Sequence, residues 1–370
     1  MPEPLKNKFG PDIPKTIAGM ISGVHPGFDT KAFVREALQD YDSLELLPRG
    51  WRIARALRPW LPPYFPDAAK ILVASLGPKL DATESQGMAP FLYLPHSCFV
   101  AEFGLDHFEA SMAAQYEITQ RFTAEFSIRP FIEKYPEASL ARLRVWATDP
   151  SEHVRRLVSE GTRPRLPWAS RLRVFEKDPT PVIALLELLK DDPEPYVRRS
   201  VANHLNDIGK DHPRLLTDIA IRWMKDAPEP RRKLIRHALR SAIKRGDQAA
   251  LKLFGVGTRG QAKIRNAVVS PRRARIGGEV ALSFEVSNVS KRAQTFLVDF
   301  RIFYCKANGE SRPKVFKLKT VELAPRASFR LSKKISLNEM TTRKHHPGLH
   351  RVEALINGEI FVVGEFRLTR

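Results

Sequence analysis

The chain has 370 residues, of which 43% are hydrophobic, and its 61 Lys and Arg exceed its 41 Asp and Glu to give a formal net charge of +20. This length and apolar content predict two or three domains with cores of their own and exclude a disordered chain. Two cysteines, Cys98 and Cys305, exclude a disulfide framework and a four-thiolate zinc site and favour a cytoplasmic protein.

The positive charge predicts a polyanionic partner. The first thirty residues lack the apolar region of a secretory signal, and no apolar run approaches the roughly 20 residues of a membrane span. Each phosphate that a basic protein neutralises releases counterions, which favours nucleic acid, with an anionic membrane surface as the weaker alternative. We therefore expect a nucleic acid partner and no membrane association.

Residues 1–254 are predicted to form a series of short amphipathic helices, because apolar residues recur there at spacings of three and four. Two segments align without gaps, Asp149–Arg156 and Asp192–Arg199, and a weaker third copy follows at Asp226–Lys233. The first two copies are 43 residues apart, a period typical of HEAT repeats, in which Asp-Pro precedes the second helix of a pair and the Val faces inward. An all-α, HEAT-like solenoid is predicted.

Polar stripes run along the predicted second helices. Arg156 and Glu160 are one helical turn apart, and Arg199, Asn203 and Asp207 follow the same spacing in the next copy. A further stripe is predicted on an earlier helix, from residues at strict four-residue spacing: Glu117, Arg121, Glu125 and Arg129. Basic residues and isolated carboxylates would then share one inner surface, and the alternative interpretation is an exposed ladder of ion pairs.

A loop rich in proline follows the first of these helices. The prolines in the segment from Glu160 to Trp168 break the helix and place Trp168 in a rigid loop, where an aromatic can face outward; the alternative is a tryptophan buried in the core. By contrast, Trp146 and Trp223 lie in apolar helical contexts and are predicted to be buried.

Residues 263–370 are predicted to form a second, all-β domain. Apolar residues alternate there in about seven segments over roughly 110 residues, which is typical of an immunoglobulin-like sandwich. Asn357-Gly358 predicts a type I′ hairpin whose second strand carries its apolar face at Ile360, Val362, Gly364 and Phe366. The Gly255–Gly260 segment matches G-x-G-x-x-G without the strand-to-helix context of a dinucleotide site, so residues 255–262 are predicted to be a hinge linker.

The charge is concentrated in this second domain. Residues 259–370 contain 23 Lys and Arg against 9 Asp and Glu, with one cluster at Arg272 and Arg273, so we expect the domain to bind a nucleic acid backbone. The sequence contains no GxxxxGK[ST], HExxH or deaminase zinc motif, and we expect no metal and no cofactor.

Four motifs resemble one known family. RRLVSEGTRPRLPW at 155–168, YVRRSVANHLNDIGKDHP at 196–213, the C-terminal helix RKLIRHALR and the upstream TAEFSIRPFI are similar to the AlkC branch of the AlkC/AlkD superfamily of bacterial HEAT-repeat DNA glycosylases. The resemblance covers nearly the whole chain and includes the basic immunoglobulin-like C-terminal domain of one AlkC subgroup.

The resemblance implies a DNA glycosylase of base excision repair that hydrolyses the N-glycosidic bond of cationic alkylated bases, chiefly 3-methyladenine and also 3-methylcytosine. We expect a monofunctional, monomeric enzyme that acts on double-stranded DNA without base flipping and associates with the nucleoid when bound. A cationic base leaves readily, so the enzyme mainly stabilises an oxocarbenium-like sugar and positions a water. The alternative is a non-catalytic HEAT-repeat adaptor for nucleic acid or protein, in which the carboxylates are only ion-pair partners.

Carried onto this sequence, the resemblance implies that Glu125, Glu160 and Asp207 lie near the lesion. Glu160 or Asp207 is expected to position the water with Glu125 in support, and Trp168 to contact the sugar or base stack. The expected phosphate contacts are arginines of both domains: Arg155, Arg156, Arg163, Arg198, Arg199, Arg232, Arg236, Arg272 and Arg273.

Overall fold

The structure is a computed structural model that describes residues 4–80, 87–256, 261–340 and 344–370. The chain forms two compact units. Over the described residues, the helical unit comprises 4–212 with Ala227–Ala238, and the C-terminal unit comprises Pro213–Asp226 with 239–370. The domain boundaries at 254/255 and 262/263 stay a prediction, and residues 257–260 of the predicted hinge lie outside the described residues.

Sixteen α-helices lie within the described ranges, together with 3-10 turns at Leu5–Lys8, Tyr41–Ser43, Arg58–Trp60 and Ala89–Tyr93. In chain order the α-helices are α1 (Asp12–Ser22), α2 (Thr30–Ala37), α3 (Leu46–Leu57), α4 (Phe65–Ala74), α5 (Leu94–Phe103), α6 (Phe108–Thr119), α7 (Arg129–Lys134), α8 (Pro136–Trp146), α9 (Glu152–Gly161), α10 (Arg173–Lys177), α11 (Thr180–Leu189), α12 (Pro195–Asp211), α13 (Pro213–Met224), α14 (Glu229–Ala238), α15 (Arg240–Arg245) and α16 (Gln248–Lys252). None of these described helices is long and apolar enough to cross a bilayer.

The predicted repeats are confirmed in the helical unit, where α12 packs against both α9 and α14. Val154 and Val197, at equivalent positions of α9 and α12, are both fully buried. Each helix is preceded by an Asx turn, in which the Asp of Asp-Pro accepts a hydrogen bond from the backbone N–H two residues later, at 2.8 Å for Asp149 and 2.9 Å for Asp192. The repeated sequence therefore encodes a repeated turn-and-helix unit.

One sequence-based prediction in this unit is wrong, because Glu117, Arg121, Glu125 and Arg129 do not lie on one helix. The helix α6 ends at Thr119, a turn region follows, and α7 begins at Arg129. Two local features stop the helix. The Thr123 hydroxyl accepts a hydrogen bond from the Glu125 backbone N–H at 3.1 Å, which offers the backbone an alternative to helical pairing. Pro130 also lacks the backbone N–H that a continuous helix would need, and it lies in the first turn of α7, where that donor is not required.

The strands of the C-terminal unit form two sheets. They are β1 (Ala262–Ser270), β2 (Arg273–Arg275), β3 (Glu279–Asn288), β4 (Gln294–Cys305), β5 (Ser311–Leu323), β6 (Ser328–Ser336), β7 (Gly348–Ile356) and β8 (Glu359–Thr369). One sheet has the order β1-β3-β6 and the other β2-β8-β7-β4-β5, with only the β2–β8 pair parallel. The predicted alternation is confirmed in β3, β4 and β7, whose inward residues join one buried core that includes Phe284, Phe300 and Ala354.

The strand β8 departs from the predicted alternation. A β-bulge leaves Val363 without a partner of its own, because Val352 pairs with Gly364 while Glu353 pairs with Val362. The extra residue reverses which side chains of the strand face the core on either side of the bulge. Ile360 and Val362 are therefore exposed while Val363 is buried, which corrects the sequence-based assignment of this face.

The hairpin between β7 and β8 has the predicted turn, since φ is positive at both Asn357 (50°) and Gly358 (77°). The turn approaches the end of α15 closely. A Cβ at Gly358 would lie 2.2 Å from the Cα of Gly246, so both positions require glycine.

Candidate functional site

Two of the predicted carboxylates meet at one guanidinium inside the helical unit. Glu160 lies near the end of α9 and Asp207 near the end of α12, and Arg163 follows α9 in the chain. Arg163 donates from Nε to Asp207 Oδ2 at 2.8 Å and from Nη1 to Glu160 Oε1 at 2.5 Å. All three residues are buried, and Lys210 donates to the other oxygen of Asp207 at 2.8 Å.

The third carboxylate joins the same network through Arg156. Arg156 Nη1 lies 2.8 Å from Glu125 Oε2, and Arg156 Nη2 lies 3.9 Å from Glu160 Oε1. Thr123 also donates to Glu125 Oε2, at 3.0 Å. The Arg156 guanidinium lies over the ring of Tyr196, 4.9 Å from its centroid. We call Glu125, Arg156, Glu160, Arg163 and Asp207 the carboxylate cluster.

The pKa shifts of Glu160, Arg156 and Arg163 all favour the charged forms. Burial alone would raise the pKa of Glu160, but Arg156, Arg163 and a hydrogen bond from Ser200 together hold this pKa below its usual range. Burial likewise opposes ionisation of Arg156 and Arg163, and the neighbouring carboxylates raise the pKa of both. Together with Lys210, three cations balance three anions, so the buried charges are paired.

Exposure distinguishes the three carboxylates. The side chain of Glu125 is 21% exposed, whereas those of Glu160 and Asp207 are 8% and 2% exposed. Both oxygens of Asp207 accept hydrogen bonds, and Ser200 donates to Glu160 Oε2 at 2.5 Å. Glu125 is therefore the carboxylate of the cluster that is most accessible to an incoming molecule.

A neutral histidine lies beside the cluster. His204 is fully buried in α12, and its Nδ1–H donates to the backbone carbonyl of Ser159 at 3.0 Å. Burial, with a smaller contribution from the nearby Arg163, lowers the pKa of His204 to about 3. The imidazole therefore adds no charge to the cluster at neutral pH.

This histidine predicts an acid-dependent loss of stability. His204 takes up a proton near pH 6.5 in the unfolded chain but only near pH 3 in the fold, so the unfolded state binds more protons between these values. The free energy of unfolding should fall as the pH drops from 6.5 towards 3, by up to about 1.4 kcal/mol per pH unit for one proton. Urea denaturation at several pH values should give a shallower dependence for His204→Asn, and an unchanged slope would contradict the assignment.

The loop between α9 and α10, residues 162–172, carries the predicted aromatic. Trp168 is 61% exposed and has a φ of 66°, a backbone conformation that a bulky residue adopts only where its surroundings enforce it. Of the two alternatives for Trp168, outward-facing or buried in the core, the structure has the outward-facing one. The prediction that Trp146 and Trp223 are buried is also confirmed, since they are 6% and 2% exposed.

The predicted phosphate-binding arginines fall into three groups. Arg155 and Arg198 each donate to both backbone carbonyls of the Asp-Pro pair that precedes their helix, and Arg155 also forms a bidentate pair with Asp192 at 2.6 and 3.1 Å. Arg156 and Arg163 belong to the carboxylate cluster. The remaining five are exposed, three in the helical unit and two in the C-terminal unit: Arg199, Arg232, Arg236, Arg272 and Arg273. Phosphate contact by any of them stays a prediction.

Sequence reasoning assigned no role at this site to three residues that the structure places in contact with it. Tyr196 packs under Arg156, Ser200 donates to Glu160, and Arg129 donates to carbonyls of the 162–172 loop. Tyr196 and Ser200 lie one and five residues after the Pro195 that begins α12, so the repeat alignment was the signal that could have found them. Among the described residues no group of three or more His, Cys, Asp and Glu is arranged to hold a metal ion.

Comparison with known proteins agrees with this architecture. A family model described as "DNA alkylation repair enzyme" matches residues 118–245, and a model of the C-terminal Ig-like domain of the uncharacterised protein YhaZ matches residues 263–370. The uncharacterized protein YhaZ of Bacillus subtilis is 34% identical over 357 residues, 96% of this chain and 97% of that one.

A solved structure matches the chain along its full length. Pseudomonas fluorescens alkylpurine DNA glycosylase AlkC, bound to DNA that contains an abasic site analog, has a TM-score of 0.92 and 38% sequence identity, and the match covers 100% of both chains. The chain therefore belongs to the AlkC branch of the HEAT-repeat DNA alkylation repair enzymes, in the subgroup with a C-terminal immunoglobulin-like domain.

Proposed function

We propose that this protein is a monofunctional DNA glycosylase that removes cationic alkylated bases, chiefly 3-methyladenine and also 3-methylcytosine, from duplex DNA without flipping them. The observation that carries the proposal is the full-length similarity to an alkylpurine DNA glycosylase, at 38% identity, together with three carboxylates joined by two arginines in the helical unit. Duplex DNA is the proposed partner, and a monomer the proposed working form.

The chemistry suits carboxylates held in this way. An alkylated base that is already cationic needs little protonation to leave, so the barrier lies mainly in the positive charge that develops on the sugar. Fixed anionic groups stabilise such a charge without reorganising during the reaction. Because Glu160 stays ionised and is held by Arg163 and Ser200, it meets this requirement.

We assign the roles of the three carboxylates from the exposed fractions of their side chains. Glu125 is the most exposed carboxylate of the cluster, and we propose that it contacts the attacking water and the sugar. Glu160 adds negative potential behind it, and Asp207 holds Arg163 in position. This division differs from the sequence-based expectation, which gave the water to Glu160 or Asp207. It rests on the burial of both carboxylates and on the hydrogen bonds that their oxygens already accept.

Measurements of base excision and of DNA binding distinguish the proposed glycosylase from the non-catalytic adaptor. The purified protein would be incubated with duplex DNA methylated on adenine. Strand breaks would then be quantified without further treatment and after heating in alkali, which cleaves the strand at abasic sites. The proposal predicts abasic sites in an otherwise intact strand, because a monofunctional enzyme leaves the backbone uncut. DNA binding without any abasic sites would overturn it and favour the adaptor.

Trp168 should contribute to recognition and not to folding. Base or sugar stacking on an aromatic is worth about 1–3 kcal/mol, so Trp168→Ala should weaken binding to a duplex with an abasic site analog by about 5- to 150-fold. The side chain is 61% exposed, and the free energy of unfolding should change by less than about 0.5 kcal/mol. Trp168→Phe should keep most of the affinity, and an alanine variant that binds like the wild type would exclude this role.

Arg272 and Arg273 should contact the DNA backbone and not bases. Each phosphate contact contributes about 0.9 to the slope of the logarithm of affinity against the logarithm of salt concentration. Arg272→Ala with Arg273→Ala should lower that slope by about 2 and weaken binding to damaged and undamaged duplexes by the same factor. Salt titrations that give an unaltered slope would remove both residues from the proposed contacts.

A further inference from the structure

We propose that Arg129 is a positioning residue for excision: its buried guanidinium fixes the backbone of the 162–172 loop, and thereby keeps Arg163 between Glu160 and Asp207 and Trp168 facing outward. The inference rests on the proposed function. It adds a residue that touches neither the carboxylates of the cluster nor the exposed face of the loop.

The side-chain hydrogen bonds of Arg129 all go to backbone carbonyls at the two ends of this loop. Nη1 donates to the carbonyls of Gly161 and Arg163, at 3.0 and 2.8 Å. Nε and Nη2 donate to the carbonyl of Ser170, at 2.9 and 2.5 Å. One rigid side chain thus joins the end of α9 to a point nine residues further along the chain, with Trp168 in between.

The hydrogen bonds to the loop carbonyls explain why the charge of Arg129 is buried. Arg129 is fully buried, and a charged group removed from water is tolerated only when its hydrogen-bonding capacity is used. An apolar residue at the start of α7 would fill the same space without that cost. Burial lowers the pKa of Arg129 only to about 10, so the guanidinium remains protonated at neutral pH and its bonds to the carbonyls are charge-assisted.

The same contact orders the segment that carries Glu125. Gly161 is the last residue of α9, and its carbonyl belongs to the set that a helix leaves without an internal partner, so Arg129 caps the helix. A Cβ on Gly161 would lie 2.8 Å from Ile128 Cγ2, which shows how closely the segment before Arg129 packs on the end of α9. Arg129 therefore links the Glu125 segment, Glu160 on α9 and the Trp168 loop.

The test compares Arg129→Lys and Arg129→Ala with Arg121→Ala. Arg121 is a matched control, because it donates to the carbonyls of Gly77 and Glu117 and makes no bond to the loop. For each full-length variant, amide hydrogen exchange would be followed in peptides covering 162–172 and in the rest of the helical unit. Single-turnover excision at saturating enzyme and affinity for a duplex with an abasic site analog would be measured alongside.

We expect faster exchange confined to the 162–172 loop in both Arg129 variants, because local opening tracks the loss of local bonds. The excision rate should fall about 10- to 100-fold, as small displacements of reacting groups do, and affinity should fall by no more than it does in Trp168→Ala, because the Trp168 contact is loosened and not removed. Millimolar guanidinium should restore part of the rate of Arg129→Ala. Arg121→Ala should match the wild type in all three measurements.

Unchanged loop exchange, or exchange that rises equally throughout the helical unit, would overturn the inference, as would a single-turnover excision rate equal to that of the wild type. Failure of the proposed function gives a separate result. A wild-type protein that releases no base would refute the glycosylase proposal, and the exchange comparison would still decide whether Arg129 holds the loop.

Discussion

Replacement of Glu125 by Gln should abolish most excision and leave DNA binding intact. Glutamine keeps the shape of the side chain and can still accept hydrogen bonds from Arg156 and Thr123, but it removes the charge that faces the developing cation. Loss of one such preorganised group costs about 10²- to 10³-fold in rate. Single-turnover excision from methylated duplex DNA should therefore fall by that factor.

The affinity of Glu125→Gln for DNA should not fall with its excision rate. Removal of a negative charge from a surface that meets phosphates should leave affinity for undamaged duplex DNA unchanged or slightly higher. Glu117→Gln is the matched control, since Glu117 also pairs with an arginine, Arg121 at 2.8 Å, outside the carboxylate cluster. Excision by Glu125→Gln at the rate of Glu117→Gln would refute the role given to Glu125.

Replacement of Arg163 by Ala should be among the most destabilising single changes in the helical unit. It would leave Glu160 and Asp207 buried without the guanidinium that they share. Removal of one partner from a buried ion pair costs about 3–5 kcal/mol, because the remaining charge is not compensated. Urea denaturation at neutral pH should show a loss of this size in the free energy of unfolding.

A second substitution tests whether the unpaired charge causes this loss of stability. Part of the stability of Arg163→Ala should return when Glu160 is also replaced by Gln, because the unpaired buried charge is then gone. Arg199→Ala, at an exposed position on α12, should change the free energy of unfolding by less than about 0.5 kcal/mol. A loss below about 1 kcal/mol for Arg163→Ala would mean that water reaches the carboxylates in the fold.

The sequence predicted the architecture where the deciding interactions are local. The Asp-Pro turns and the buried Val154 and Val197 follow from residues within one turn or helix, and the alternation in β3, β4 and β7 follows from the pleat. The face of β8 was not predictable in this way, because its bulge exists only through pairing with β7.

The candidate site was predictable in its residue types and less so in its geometry. Four-residue spacing correctly related Arg156 to Glu160, but it wrongly extended one helix from Glu117 to Arg129 across a turn. The burial of Glu160 and Asp207 and the contacts of Arg129 depend on partners 32 to 44 residues away, such as Gly161 for Arg129 and Asp207 for Arg163. Spacing along one helix contains no information about such partners.

The release of free base tests the central claim most directly. Duplex DNA that contains 3-methyladenine would be incubated with excess wild-type protein, and the free base separated from the DNA and quantified by chromatography. We expect the wild type to release one 3-methyladenine per lesion, and Glu125→Gln to release it at least about 100-fold more slowly. Tight binding of the same duplex with no free base released by the wild-type protein would contradict it.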